Sequence, residues 1–375
     1  MKRTRASSAV DRLLEQAPFG LDEQAQKGLF SEAIQEAFRH HLQNNQLFRE
    51  YCLKKGVTPE RLPSQSADYP FLPVALFKNR QLSSVPEAQI KMVLSSSATT
   101  GTPSTVPIDA VTSRRQMFAS AKVIADYLGP NRRPFLILDE DPTQSRSTEI
   151  SARSAATRGF LPLASSVRYF LKTEAGGLTL DSNSLKEALK EYSGRQQEIC
   201  LFGFTYLLYY HVIKVLKEQG NSFRLPASSK IVHIGGWKKL EAQKVTRAQF
   251  LSDIQATLGV GKEAIVDFYG FTEQMGLVYA NQGDGPKTVP AYAQLIVRDF
   301  QTLAPAQDGQ EGLIQILTPL PHSYPGISVL TEDVGRILGR GKGADGRWGT
   351  RFEIVGRAKK AEARGCGDIL AEIIS

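Results

Sequence analysis

Apolar and polar residues change rhythm three times along this chain. From Leu29 to Gly56, "LFSEAIQEAFRHHLQNNQLFREYCLKKG" sets apolar residues at three- and four-residue steps and stops at a glycine. That period predicts helix over roughly residues 1–60. Beyond residue 70, short continuous apolar runs take over: "RPFLILDED" (133–141), "EICLFGF" (198–204), "KIVHIGGW" (230–237) and "EAIVDFYGFTEQ" (263–274). They read as buried strands, with helical stretches such as "TYLLYYHVIKVLKEQG" between them. The third rhythm is closer spaced: "AQLIVRD" (293–299), "GLIQILT" (312–318) and "SVLTEDVGRIL" (328–338) predict antiparallel strands.

The alternation argues an α/β fold with a mostly parallel sheet and flanking helices. The expected organisation is an N-terminal helical segment (1–60) packed on an α/β domain (61–355), then a short tail (356–375). Ligands of such folds sit outside the carboxyl ends of the strands, and the unusual residues of this chain gather there.

Composition changes the picture in two places. Three cysteines among 375 residues are too few for a disulfide framework, so a reducing, cytoplasmic setting is expected. "MKRTRASSAVDRLLEQ" has no apolar stretch behind its basic start, and no 18-residue apolar run predicts a membrane span. The net charge of +8 is uneven: Arg336–Arg364 holds nine basic and three acidic residues, a net +6. With no aromatic platform beyond Trp348 and no nucleic-acid motif, this reads as a surface or a patch for an anionic ligand.

Three stretches carry candidate chemistry. "SSSATTGTPSTVP" (95–107) has the small and hydroxyl residues that let backbone N–H groups form an anion nest, although no Gly-Lys-Ser/Thr follows. In "DFYGFTEQ", Tyr269 offers a flat ring for a base, Thr272 a hydroxyl for a phosphate oxygen and Glu273 a hard ligand for Mg²⁺. In "LTEDVGRIL", Asp333 is read as ending a strand and able to accept both hydroxyls of a ribose. Taken alone, each stretch is better read as a polar loop, turn or hairpin. Cys52, His40 and His41 read as ordinary helix residues, because adjacent histidines point about 100° apart. Cys200 reads as core. His211 is expected in the core or lining a pocket, and His322 at the surface. His233 stands close enough to Gly235 to approach a ligand. Phe202, Phe204, Tyr206 and Tyr209 suit either an apolar substrate or a core.

The order of these stretches resembles the adenylate-forming superfamily of acyl and aryl ligases. Ser96-Ser97-Ala98-Thr99-Thr100-Gly101 matches that family's phosphate loop except at Ala98, and Ser104 stands where many members carry lysine. "YPFLPVALFKN" (69–79), "LFGFTYLLYY" (201–210), "HIGGWKK" (233–239), "YGFTEQMG" (269–276) and "GRAKKAEARGC" (356–366) resemble more closely the LuxE-type acyl-protein synthetases of bacterial fatty-acid reductase complexes.

The resemblance implies ATP and Mg²⁺ as cofactors. Ser96, Ser97, Thr99, Thr100 and Gly101 would cradle phosphates. Tyr269 and Gly270 would lie at adenine, with Gly235 and Gly236 lining the pocket. Thr272 would reach the α-phosphate, Glu273 would hold Mg²⁺, Asp333 would grip ribose, and Arg357 would mark the hinge before the tail. Trp237 and Lys238 are pocket residues without a fixed role, and Lys359 and Lys360 could steady phosphate. The matching Cys366 would receive the acyl group of a fatty or other carboxylic acid and deliver it to a partner reductase. Gly365 and Gly367 leave its backbone free, and the nearby cations favour the thiolate. Two alternatives stay open: an acyl- or aryl-coenzyme A ligase with a soluble thiol acceptor, and an inactive nucleotide-binding scaffold.

Overall fold

The computed structural model describes residues 7–96, 102–141, 152–174, 177–237, 243–358 and residue 373. Three helices open the chain: α1 (Ala9–Glu15), α2 (Glu23–Asn44) and α3 (Gln46–Lys54). Asp22 caps α2 by accepting the Ala25 N–H, and Asn45 ends α2 and caps α3 through the Phe48 N–H. The apolar stripe Phe30, Ala33, Ile34, Ala37, Phe38 and Leu42 is buried in the main core. Cys52 lies in the same core, where burial pushes its thiol well above the ordinary range.

Next come β1 (Leu72–Pro73), the single turn α4 (Leu76–Asn79), the hairpin β2 (Ile90–Ser95) and β3 (Thr105–Asp109), and α5 (Ala110–Leu128). The α/β part follows as β4 (Arg133–Glu140), α6 (Ala152–Phe160), β5 (Ala164–Glu174), β6 (Gly177–Leu180), α7 (Ser182–Gly194) and β7 (Cys200–Phe204). It continues with α8 (Lys214–Glu218), β8 (Lys230–Ile234), α9 (Arg247–Leu258) and β9 (Ile265–Tyr269). The last strands are β10 (Tyr279–Gln282), β11 (Lys287–Thr288), β12 (Gln294–Arg298), β13 (Gly312–Leu317), β14 (Ser328–Gly339) and β15 (Arg351–Arg357).

Among the described residues, one thirteen-stranded sheet runs β12-β13-β14-β15-β11-β10-β9-β8-β7-β4-β5-β6, with β1 added on β14. β5, β4, β7, β8 and β9 are parallel, and β4, β7 and β8 are unbroken apolar runs buried on both faces. From β10 onward the pairing is antiparallel except for β1 on β14. Side-chain alternation divides the core. Val232, Phe202 and Phe268 face the main cluster, while Ile231, Leu201 and Ile265 face a second one with α7, α8 and α9. Each fully buried Leu, Ile or Phe stabilises by about 1.5–3 kcal/mol.

Several residues differ from expectation. Asp333 lies inside β14 rather than at its end, because β15 keeps pairing past a bulge at Val334/Gly335. His322 is only partly exposed: its Nδ1 lies 2.7 Å from Asp109 Oδ2 and its ring stacks on His40 at 4.1 Å. His211 is exposed. It rides on a π-helical stretch, Leu207–Ile213, whose wider turn rotates it outward while Leu208 and Tyr209 stay buried. No described helix is long and apolar enough to cross a membrane.

Candidate functional site

The site forms where β8 and β9 end, opposite the middle of β14. After β8 the chain turns at Gly235, whose φ of +78° favours glycine. Thr205, following β7, donates its hydroxyl to the Gly235 carbonyl. His233 Nδ1 lies 2.9 Å from that hydroxyl and 3.6 Å from Asp267. Burial lowers the imidazole to about 4, despite the opposing pull of Asp267. His233 therefore sits neutral beneath the glycine turn. Gly235 and Gly236 are exposed to solvent.

β9 delivers Tyr269 and Gly270, then a short turn carries Thr272 and Glu273. The Tyr269 hydroxyl donates to Asp333 Oδ2 at 2.6 Å. Burial raises the Asp333 carboxyl. Tyr269 and Arg357 pull it back, and Glu332 adds to the rise. Burial and then Asp333 hold the Tyr269 phenol well above its ordinary value. Arg357, opposite Asp333 in the β14–β15 register, reaches Asp333 at 3.5 Å and Glu332 at 3.1 Å.

Glu273 is 4% exposed. Its carbonyl accepts the Tyr324 hydroxyl at 2.9 Å, and Gln274 Nε2 donates to the Ile316 and Gly326 carbonyls. Gly326 makes this seat possible: a Cβ there would stand 2.8 Å from the Glu273 carbonyl oxygen and 2.3 Å from the Tyr324 ring. Burial raises the Glu273 carboxyl; the nearby Ser104 hydroxyl and the charge of Lys78 oppose it. Ser104 and Ser96 close the neck of the β2–β3 hairpin. The Ser96 N–H donates to the Ser104 carbonyl, and the Ser104 N–H to the Ser96 hydroxyl, both at 2.9 Å.

The fold thus joins Ser96 to Ser104 beside the turn that carries Glu273, and Tyr269 to Asp333 and Arg357, at one end of the sheet. Ser97, Thr99, Thr100, Gly101, Lys238, Lys359, Lys360 and Cys366 lie outside the described residues. Trp237 packs in the second core against Tyr209, Tyr210 and Phe250. Phe202 is fully buried, and Tyr209 donates its hydroxyl to Asp253, so both are core. Sequence reasoning passed over Lys78, Glu332, Tyr324 and Thr205. Lys78 stands in a quoted stretch, and Glu332 adjoins Asp333, but nothing in their local pattern marks them; strand pairing alone brings them here.

Among the described residues, no group of three or more His, Cys, Asp or Glu could hold a metal by itself. A single buried carboxylate, Glu273, fits a cation that completes its shell with phosphate oxygens, as Mg²⁺ does.

A family model described as "Acyl-protein synthetase, LuxE" matches residues 2–375. A long-chain-fatty-acid–luciferin-component ligase of Vibrio harveyi is 27% identical over 369 residues, covering 96% of this chain and 92% of its own. The ligase of the same name from Aliivibrio fischeri is 25% identical over 380 residues, covering 98% and 95%. In fold, the chain is similar to a 2-hydroxyisobutyryl-CoA ligase crystallised in an open conformation with 2-HIB-AMP and CoA. The TM-score is 0.67 at 15% identity, over 91% of this chain and 76% of that one.

Proposed function

This chain belongs to the LuxE acyl-protein synthetase family, and on that premise we propose that it activates a carboxylic acid with ATP and carries the product on its own cysteine. The relatives are named for long-chain fatty acids, and a fatty acid is the proposed substrate. The observation that carries the reading is the meeting of the Tyr269–Asp333 pair with buried Glu273 and the Ser96–Ser104 hairpin neck at the carboxyl ends of parallel strands.

In the first step, a carboxylate oxygen of the acid bonds to the α-phosphorus of ATP. The bond from that phosphorus to the bridging oxygen breaks, and pyrophosphate leaves. Asp333 would accept the ribose hydroxyls, Tyr269 would border the base together with Gly270, Gly235 and Gly236, and Thr272 would donate to the α-phosphate. Ser96, Ser97, Thr99, Thr100 and Gly101 would surround the leaving phosphates. Mg²⁺ held by Glu273 would neutralise phosphate charge when bound. In the second step, the Cys366 thiolate attacks the acyl carbon. The carbon–oxygen bond to AMP breaks, and a thioester remains.

Two placements support the second step. Ala358 donates its N–H to the Glu332 carbonyl at 2.8 Å, so the tail departs beside Asp333. Ile373, beyond Cys366 in sequence, is buried in the main core. The eight residues from Ala358 to Cys366 span at most about 28 Å when extended. A tethered thiol also replaces a bimolecular encounter. A partner reductase would consume the thioester.

The test is intact mass after incubation with ATP, Mg²⁺ and a panel of fatty and aromatic acids, wild type beside Cys366→Ser. An ATP-dependent, hydroxylamine-labile acyl adduct that disappears in the variant is expected. Pyrophosphate release without any adduct would replace this reading with a ligase using a soluble thiol. Neither signal would replace it with a nucleotide-binding scaffold.

A further inference from the structure

The described part of the site is rich in carboxylates: Glu332 lies close enough to Glu273 and to Asp333 for its charge to add to the rise of both carboxyls. Bringing an anionic acid up to a polyphosphate there needs a cation that is free to face them. Ser104, at the hairpin neck, is neutral. Arg357 has its guanidinium divided between Glu332 and Asp333, and its side chain is 67% exposed.

Lys78 is placed differently. β1 runs parallel to β14 with Leu72 opposite Val329 and Pro73 opposite Leu330, and the Val74 N–H donates to the Leu330 carbonyl. This register brings α4 alongside Glu332. Leu76 and Phe77 are buried and fix the turn. The Phe77 ring meets Tyr324 edge-on at 6.3 Å, and Tyr324 in turn holds the Glu273 carbonyl. The Lys78 stem and Glu273 therefore belong to one packed unit. Among the described residues its ammonium has a single loose partner, Glu332 Oε1 at 3.5 Å, in a pair with side chains 36% and 28% exposed. Such pairs are weak, and an incoming phosphate can replace the carboxylate.

We infer that Lys78 is the cation that faces the phosphate and carboxylate oxygens during adenylation, parked on Glu332 until they arrive. The inference rests on the adenylation reading above. Its content is specific: Lys78 acts in pyrophosphate release and has no part in the transfer from acyl-AMP to Cys366.

The experiment compares wild type, Lys78→Met and Lys78→Arg in pyrophosphate release, in ATP binding by calorimetry, and in acylation by a synthetic acyl-adenylate supplied without ATP. Lys78→Met should lose about 10²–10³-fold in the turnover of pyrophosphate release. It should take the acyl group from the synthetic adenylate at the wild-type rate, and Lys78→Arg should recover most of the lost turnover. Pyrophosphate release by Lys78→Met within about threefold of wild type would overturn the inference and leave the adenylation reading intact. An equal fall in both half-reactions, not restored by arginine, would also overturn it and make Lys78 a structural residue. A wild type that neither releases pyrophosphate nor accepts the synthetic acyl group would remove the adenylation reading and this inference together.

Discussion

At Asp333 one hydrogen bond, from Tyr269, and one cation, Arg357, hold a carboxyl that burial would otherwise favour as the neutral acid. A ribose there would take up the acceptor sites left over. Asp333→Asn should weaken ATP binding about 10–100-fold, the size of a hydrogen bond to a charged group. Calorimetry measures it, and an unchanged affinity would place the ribose elsewhere. Tyr269, Thr272, Glu273 and Asp333 could be singled out from the sequence because a base, a phosphate, a cation and a ribose, the proposed occupants, each ask for a recognisable side chain. Lys78 was not. A lysine two residues after "FLPVAL" resembles any surface lysine until β1 pairs with β14. His322 was misjudged for a similar reason: a Pro-rich turn usually lies in solvent, and only contact with α2 puts its ring on His40.

Among the elements, β8 to β11 share a polar row that their apolar runs conceal. His233 stands opposite Asp267, Asp267 opposite Asn281, and Lys287 reaches Asp267 at 2.7 Å and Asn281 at 2.9 Å. Lys287 is buried. Lys287→Met removes the cation from Asp267 and should cost about 3 kcal/mol in urea unfolding, the low end for a broken buried pair. The low end applies because the Asp267 side chain keeps 32% exposure. A loss under about 1 kcal/mol would mean that solvent screens the pair. Gly326→Ala should disturb Glu273 directly, since its Cβ has no room; weaker Mg²⁺-ATP binding at little-changed affinity for AMP checks it. Strand positions themselves were readable. β4, β7, β8 and β9 each fall inside an apolar run, because period and length are local. Their partners were not, because pairing joins residues far apart in sequence.

The whole molecule carries a pH dependence from its buried imidazoles. His233 titrates near 4 when folded, and burial also lowers His40 and His41. An unfolded histidine titrates near 6.5, so the unfolded chain binds more protons between these values. The stability is full above about pH 6.5 and is lost as pH falls toward 4. His233 alone should remove about 2 kcal/mol between pH 7 and pH 5. Urea unfolding of wild type and His233→Gln at both values checks this; equal slopes would refute it. At this scale the division between sequence and structure is clear. The sequence by itself determined the α/β alternation, the antiparallel end, the family and the chemical types at the strand ends, because these depend on local period and on motif order. Tertiary structure alone decided that one sheet is continuous from β12 to β6, that the β2–β3 hairpin comes beside the Glu273 turn, that Asp333 lies within β14 opposite Arg357, and that Lys78 stands beside Glu332. Each of these is a contact between distant segments, set by which strand registers bury the most apolar surface while satisfying every backbone hydrogen bond.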